Sequence, residues 1–167
     1  MEEKIIAHMT AEALYDFTLY HTYSKFAGFL TNVLGLAVGF MGIILVVTGK
    51  SPAVSLVFYL LASAAFLCFT PVQLKLRAKK QVQLNPEFKG ETEYTFDEEG
   101  ITSLHDGKEL SYTWGQMKKV VATPKTIGFY YEVDRALIIP KMDFKDRFVP
   151  IMKLAVEHTV PGCVKVR

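Results

Sequence analysis

The stretch AGFLTNVLGLAVGFMGIILVVT, residues 27–48, contains no charged side chain. A second uncharged stretch, PAVSLVFYLLASAAFLCFTPV, spans residues 52–72 and follows a turn of Gly49, Lys50 and Ser51. At about 1.5 Å of rise per residue, each stretch forms a helix of roughly 30 Å, which is the thickness of the hydrocarbon core of a bilayer. The pair therefore predicts a transmembrane helical hairpin over residues 27–72.

Two other interpretations of these stretches fit the sequence less well. Buried helices of a soluble protein need other residues to cover them, and a chain of 167 residues offers too few. A cleaved signal peptide is not expected, because Glu2, Glu3, Glu12 and Asp16 precede the first stretch and no small-residue cleavage pattern follows them. Insertion as helices instead satisfies the backbone polar groups within the chain.

Basic residues flank both ends of the hairpin, whereas its turn carries only one. Lys25 precedes the first stretch and a basic cluster follows the second, whereas the turn contains only Lys50. Because lysine and arginine near membrane helices stay on the cytoplasmic side, we expect a multi-pass protein of the cell membrane with both termini in the cytoplasm. Residues 73–90 are expected to continue the second helix out of the membrane. The residues expected at the membrane surface are Lys75, Arg77, Lys79 and Lys80.

Small residues follow one side of the first stretch and predict a close contact between helices. These residues are Gly28, Gly35, Gly39 and Gly42, with Asn32 as a nearby polar side chain that needs a hydrogen-bonding partner. In one interpretation this face receives the second helix of the same hairpin through Ala62 and Ala65. In the other, part of the face contacts another protein or a second copy of the chain.

Residues 1–26 predict a strand followed by a helix. The strand is expected within EEKIIAHM (residues 2–9), and Thr10 is a favourable N-cap for a helix with Glu12 in its first turn. Tyr15 and Tyr23 then lie near one face at helical spacing. Since tyrosine favours the headgroup layer, we expect an interfacial helix that leads into the first span, with a helix in a soluble core as the alternative.

From residue 91 onward the apolar period changes to two, and Asp106-Gly107 signals a tight hairpin turn. Six antiparallel strands are predicted, over residues 91–96, 101–105, 108–114, 117–123, 126–133 and 136–140. Residues 144–159 predict a helix, capped by Asp143 or a neighbour, that tolerates Pro150 only in its first turn. We therefore expect an α+β chain in which residues 91–167 form one strongly bent sheet closed by a C-terminal helix.

Three sequence segments, in this order and with the double span, are similar to a known family. They are Thr10-Ala11-Glu12 leading to Phe17, Tyr20 and His21; Tyr112-x-Trp114-x-x-Met117-x-x-Val120; and Ala136-Leu137-Ile138-Ile139-Pro140-Lys141 with Phe144. On these residues the chain resembles the YcxB-like bacterial membrane proteins. The resemblance implies a cytoplasmic domain of pleckstrin-homology-like (PH-like) fold, and it supplies neither an accepted activity nor functional residues.

The sequence does not predict an enzyme, a metal site or a cofactor. It contains no nucleophile motif, no P-loop and no dinucleotide fingerprint. The four histidines have no metal-ligand spacing, and Cys68 and Cys163 do not suggest a disulfide. Acidic residues balance the basic ones after residue 91, so nucleic acid is not an expected partner.

Trp114, Lys118 and Lys119 are the candidate interface residues of the C-terminal part. The expected role of Trp114 is to pack the sheet against the C-terminal helix, and the alternative is a surface anchor. By analogy with PH-like domains, Lys118, Lys119, Lys125 and Lys141 are hypothesised to gather at one rim that faces lipid headgroups.

These features favour a non-enzymatic, membrane-anchored interaction or assembly module that acts as an accessory subunit or a homo-oligomer. Its contact surfaces would be the glycine face and the edge strands of the sheet. The competing hypothesis is a sensor of inner-leaflet lipid or of a small ligand. The expected partners are therefore the lipid bilayer and a second copy or another membrane protein.

Overall fold

The structure, a computed structural model, describes residues 2–165, apart from the side chain of residue 27. The helices are α1 (Ala11–Tyr23), α2 (Phe26–Val47), α3 (Ala53–Leu84), α4 (Lys141–Phe144) and α5 (Phe148–His158). The strands are β1 (Glu3–His8), β2 (Glu91–Phe96), β3 (Gly100–His105), β4 (Lys108–Thr113), β5 (Lys119–Ala122), β6 (Thr126–Tyr130), β7 (Ala136–Pro140) and β8 (Val164–Lys165). The chain thus has the mixed α+β composition that the sequence predicts.

The chain divides into two compact units. One unit is Thr18–Arg77 and contains the two long apolar helices. The other combines Met1–Phe17 with Ala78–Arg167 and contains the strands. We call them the helical unit and the sheet unit.

In the helical unit, α2 and α3 are long and apolar enough to cross a membrane. Large apolar side chains such as Phe40, Phe58 and Phe69 are exposed along them. The helix α3 passes through Pro71 and ends at Leu84, just before Asn85-Pro86, as the sequence predicts. Its basic segment is therefore a direct continuation of the apolar one.

The first sheet of the sheet unit has the strand order β1-β2-β3-β4, with every neighbouring pair antiparallel. Its first strand comes from the N-terminus: Glu3 pairs with Phe96 and His8 pairs with Glu91. The side chains of β1 alternate between buried and exposed, and Ile5 and Ala7 enter the core. The N-terminal strand is thus part of the same sheet as residues 91–113.

The second sheet has the order β7-β6-β5-β8. The strands β5, β6 and β7 are antiparallel neighbours, and β8 is parallel to β5. The apolar core includes residues of both sheets, α4 and α5, and its largest fully buried members include Phe96, Phe129, Phe144 and Ile151. Burial of these side chains stabilises the unit by about 2 kcal/mol each.

Two details differ from the prediction. Instead of one bent sheet there are two, because a 3₁₀ turn at Trp114–Gln116 redirects the chain after β4, and β1 and β8 each add a strand. The C-terminal helix begins at Phe148, and its N-cap is Arg147 rather than Asp143. Asp143 lies within α4, where its carboxylate accepts a hydrogen bond from the backbone N–H of His8 at 2.8 Å. Pro150 does occupy the first turn of α5.

Candidate functional site

Three of the predicted helix-packing glycines face α3. A Cβ atom on Gly35 would lie 3.0 Å from Cδ2 of Leu67, and one on Gly39 would lie 3.0 Å from Oγ of Ser63. A Cβ atom on Gly42 would overlap the side chain of Tyr59. The Ser63 hydroxyl also donates a hydrogen bond to the Gly35 carbonyl at 2.7 Å. This face therefore packs within the hairpin.

The remaining members of the predicted face have other surroundings. A Cβ atom on Gly28 would overlap the carbonyl of Thr22, so this glycine packs on the end of α1. The side chain of Asn32 is half-buried and forms no hydrogen bond with any residue in the range 2–165. The prediction that Ala62 and Ala65 contact the glycines is wrong, because both alanines are exposed. The contact face of α3 is instead formed by Tyr59, Ser63 and Leu67, which follow one another at four-residue spacing.

The predicted membrane-surface residues all lie on the last turns of α3. The side chains of Lys75, Arg77, Lys79 and Lys80 are exposed. Their role at a lipid surface stays a prediction.

Trp114 lies in the core of the sheet unit. It is 2% exposed, and its ring centroid lies 6.4 Å from that of Phe129. Its indole Nε1–H donates a hydrogen bond to the Asp97 carbonyl at 2.8 Å. The 3₁₀ turn that contains Trp114 packs against α5. The indole therefore joins the sheets to the helix and is not available as a surface anchor.

The four lysines do not gather at one rim. The Lys118 N–H donates to the Tyr130 carbonyl at the end of β6, whereas the Lys141 N–H donates to the Lys125 carbonyl just before β6 begins. The two pairs of lysines thus lie at opposite ends of that strand. Because a strand rises about 3.3 Å per residue, they are separated by more than 10 Å, and the hypothesis of a single basic rim is wrong.

Two of these lysines are engaged within the unit. The Lys119 ammonium lies 5.8 Å from the ring centroid of Tyr130. The Lys125 ammonium pairs with Glu12, and its backbone N–H donates to Asp16 at 2.9 Å. The hydrogen bond to Glu12 raises the pKa of Lys125 above its usual value. Lys125 therefore attaches the first turns of α1 to the second sheet.

A cavity of about 280 Å³ lies between the inner face of the first sheet and β7. It arises because Tyr94, Ser103 and Leu110 are cross-strand partners, so their side chains share the inner face of β2, β3 and β4. The other lining residues are Ala7, Met9, Glu87, Phe88, Thr92, His105, Tyr112, Tyr131, Ala136, Leu137, Ile138 and Pro140. The described residues that line it include no lysine or arginine.

Two of the tyrosines that line this cavity, Tyr94 and Tyr112, have raised pKa values. Tyr94 is 8% exposed, and burial, followed by the proximity of Tyr112, raises its pKa to about 12. Burial likewise raises the pKa of Tyr112, whose ring centroid lies 4.6 Å from that of Tyr131. The Tyr94 hydroxyl has no hydrogen-bond partner in the part of the chain that the structure describes, and it retains contact with the solvent of the cavity. It is thus free to bond a ligand.

His105 connects the segment after α3 to the first sheet. Its Nδ1 lies 3.0 Å from Oγ1 of Thr92, and its Nε2 lies 3.0 Å from the Pro86 carbonyl. Neither His105 nor Tyr94 is among the residues predicted from the sequence. The signal that could have found them is the alternation of strands β2 and β3, which places both side chains on the inner face.

The strand β4 forms the open edge of the first sheet. It is the last strand in the sheet order, and its residues are exposed except for the half-buried Tyr112. Leu110 is 57% exposed although it is apolar. This edge and the cavity share Leu110 and Tyr112.

The described residues offer no obvious metal centre. Within residues 2–165, no group of three His, Cys, Asp or Glu side chains is placed to hold a metal ion. Cys68 and Cys163 are free.

A segment of the sheet unit matches a family model. Residues 96–151 match the family model described as YcxB-like protein. This segment is similar to YcxB-like proteins. The match runs from the end of β2 into α5, confirms the resemblance for this part of the chain, and is consistent with a YcxB-like family. The YcxB-like segment contains Trp114 and the β4 edge, whereas α2 and α3 lie outside it.

Comparisons with curated proteins and with solved structures give no significant match.

Proposed function

We propose that the protein is a membrane-anchored, non-enzymatic interaction module that acts as an accessory subunit or a homo-oligomer. In this proposal α2 and α3 anchor the chain in the cell membrane, and the YcxB-like domain, with a PH-like architecture, binds another chain in the cytoplasm. The observation that carries the proposal is the open edge of β4, since an unpaired strand edge is a template for pairing with another chain.

The surface of α2 and α3 supports the membrane anchor. Their large apolar side chains, including Phe40 and Phe58, are exposed and gain stability when lipid replaces water around them. One chain segment precedes the hairpin and the other follows it, and the pairing of β1 with β2 joins the two segments in one sheet. Both flanking segments must therefore be on the same side of a membrane, and the basic residues after the apolar part of α3 favour the cytoplasmic side.

The two four-stranded sheets and the C-terminal α5 support the PH-like architecture. Short antiparallel strands in two layers with one helix against the core are the features that the family resemblance leads us to expect.

The interaction proposal is tested by purification of the full chain in mild detergent. We expect light scattering to give a protein mass above that of one chain, or mass spectrometry to identify a partner in constant ratio. A single chain without a partner, at the concentration found in the membrane, would contradict the proposal.

The cavity favours a second candidate function, the sensing of a small ligand. The unpartnered hydroxyl of Tyr94 and the aromatic walls suit an uncharged ligand with an apolar body and a hydrogen-bonding group. Phosphate headgroups fit less well because the described lining includes no lysine or arginine and contains the carboxylate of Glu87. Native mass spectrometry of the full chain should show a bound small molecule that the Tyr94→Phe variant retains less well. Salt-dependent binding to anionic vesicles in preference to neutral ones would favour the lipid form of the hypothesis.

A further inference from the structure

The turn before β4 fixes which backbone groups face outward. Asp106 and Gly107 both have positive φ, at 47° and 75°, as a two-residue hairpin turn of type I′ requires. In such a hairpin the flanking pair, His105 and Lys108, is hydrogen-bonded. Alternation along β4 then directs Leu110 toward β3 and leaves the N–H and C=O groups of Glu109 and Ser111 on the open edge.

The other edges of the two sheets are shorter or lie beside other elements. The backbone of β1 is bonded to Asp143, and β1 also packs against β7. The strand β8 has only two residues. Of the four edge strands in the described residues, β4 is therefore the long strand that offers an accessible ladder.

We propose that β4 pairs in antiparallel fashion with β4 of a second copy of this chain, with Leu110 on the two-fold axis. This inference rests on the proposed interaction function and names the partner. In this register Glu109 of each copy lies opposite Ser111 of the other copy. The outward N–H and C=O groups of Glu109 and Ser111 in the two copies then form four hydrogen bonds, and each of these outward groups is bonded.

Charge and side-chain contacts select this register from its neighbours. A shift that places the axis at Glu109 would bring two carboxylates directly opposite each other, which is unfavourable. A shift to Ser111 would require the Thr113 N–H, which already donates to the Gln116 side chain at 3.3 Å. With the axis at Leu110, the two exposed leucine side chains instead contact each other.

The pairing joins two four-stranded sheets into one sheet of eight strands. A pair of six-residue strands is weak by itself in water. Two copies anchored in one membrane meet at a high effective concentration, so a weak contact is enough for association.

Cysteine cross-linking of the full chain in liposomes tests the register. In a background of Cys68→Ala and Cys163→Ala, we expect Leu110→Cys to form an intermolecular disulfide readily under mild oxidation, because residues on the axis approach within disulfide distance. The matched control is Leu104→Cys, which is also exposed but lies on the inner strand β3. Equal cross-linking at the two positions would overturn the proposed register.

A second variant tests the backbone bonds. Ser111→Pro removes an N–H that faces away from β3, so the hairpin tolerates it, whereas the pairing loses two of its four bonds. We expect the mass in detergent to fall to that of one chain while thermal unfolding of the domain changes little, because the hydroxyl bond between Ser111 and Thr102 that is also lost is exposed. Ser111→Thr keeps the N–H and is expected to remain a dimer.

The outcomes separate this inference from the proposed function. If the parent chain associates but Leu110→Cys does not cross-link and Ser111→Pro keeps its mass, the β4 pairing is wrong and the interaction function stands. If the parent chain neither associates nor binds a partner, both are wrong. If Ser111→Pro unfolds, the cross-linking comparison decides the register by itself.

Discussion

Tyr94 shows at the scale of one residue how burial changes an ordinary side chain. Its partners across the first sheet, Ile5 and Ser103, are also buried, so a phenolate at this position would lose most of its hydration. This loss is the main reason why its pKa rises from 10.0 to about 12.

The raised pKa predicts a loss of stability at high pH. The unfolded chain ionises Tyr94 first, so the stabilisation is fully present below pH 10.0 and is lost as the pH rises towards 12. Two pKa units correspond to roughly 3 kcal/mol. We expect Tyr94→Phe to reduce this alkaline loss by about that amount, measured by denaturant unfolding with Trp114 fluorescence. Equal alkaline losses in the variant and the parent would contradict the assignment.

Gly128 is a residue where the fold leaves no room for a side chain. A Cβ atom there would overlap the ring of Phe17, which packs on β6 beside Tyr130. We expect Gly128→Ala to destabilise the sheet unit by about 1–3 kcal/mol. Gly115→Ala, where a Cβ atom meets no neighbour within 4 Å, is the control and should change stability little.

A double-mutant cycle checks the cause of that effect. Phe17→Leu shortens the side chain that a Cβ atom on Gly128 would meet, so the two substitutions should couple favourably by more than about 0.5 kcal/mol. Additive effects would show that Gly128 is required for a different reason.

The sequence predicts isolated residues well where local spacing decides their position. Thr10 caps α1 through a hydrogen bond from the Ala13 N–H at 3.1 Å, as expected. The prediction that four lysines form one rim is wrong, because strand pairing places them at the two ends of β6. Local spacing in the sequence does not determine strand pairing.

The contact between α2 and α3 depends on small residues and one hydrogen bond. Gly39→Leu would require space that Ser63 occupies, so we expect the two helices to separate at lower concentrations of SDS than in the parent chain. The separation can be measured by fluorescence transfer between labels on α2 and α3. Ala62→Leu, on the exposed side of α3, is the matched control. A parent-like midpoint for Gly39→Leu would contradict the observed packing.

Removal of the hydroxyl tests the polar part of the same contact. We expect Ser63→Ala to cost about 0.6 kcal/mol and at most about 1.7 kcal/mol, because the Gly35 carbonyl remains bonded within its own helix. The same SDS titration measures this difference.

The elements themselves follow closely from the sequence, and their arrangement in two sheets does not. Alternating apolar residues and turn signals predict β2, β3, β4 and β7 to within one residue at each end, whereas the predicted β5 and β6 are each three residues longer than the observed strands. The partners of β1 and β8 are distant in the chain, and two residues such as Val164 and Lys165 carry no periodic signal. For this reason one bent sheet was expected where two exist.

The sheet unit consists of two chain segments that flank the helical hairpin. We expect residues 90–167 alone to fold poorly, because they lack β1 and its buried side chains, Ile5 and Ala7. They also lack Glu3, which is buried and paired with Arg147. A chain that joins residues 2–17 to 78–167 through a flexible linker should recover the Trp114 fluorescence of the full protein. Native-like fluorescence from residues 90–167 alone would contradict this prediction.

The pairing of β1 with β2 also determines when the domain can be completed during synthesis. The ribosome makes β1 first, yet its partner emerges only after both apolar helices have been made. If one helix failed to enter the bilayer while the other crossed it, β1 and β2 would be in different compartments and the first sheet would lack a strand. In the proposed membrane-anchored arrangement, completion of the domain is thus conditional on correct insertion of α2 and α3, and a wrongly inserted chain would expose an incomplete core to the quality-control proteases of the cell.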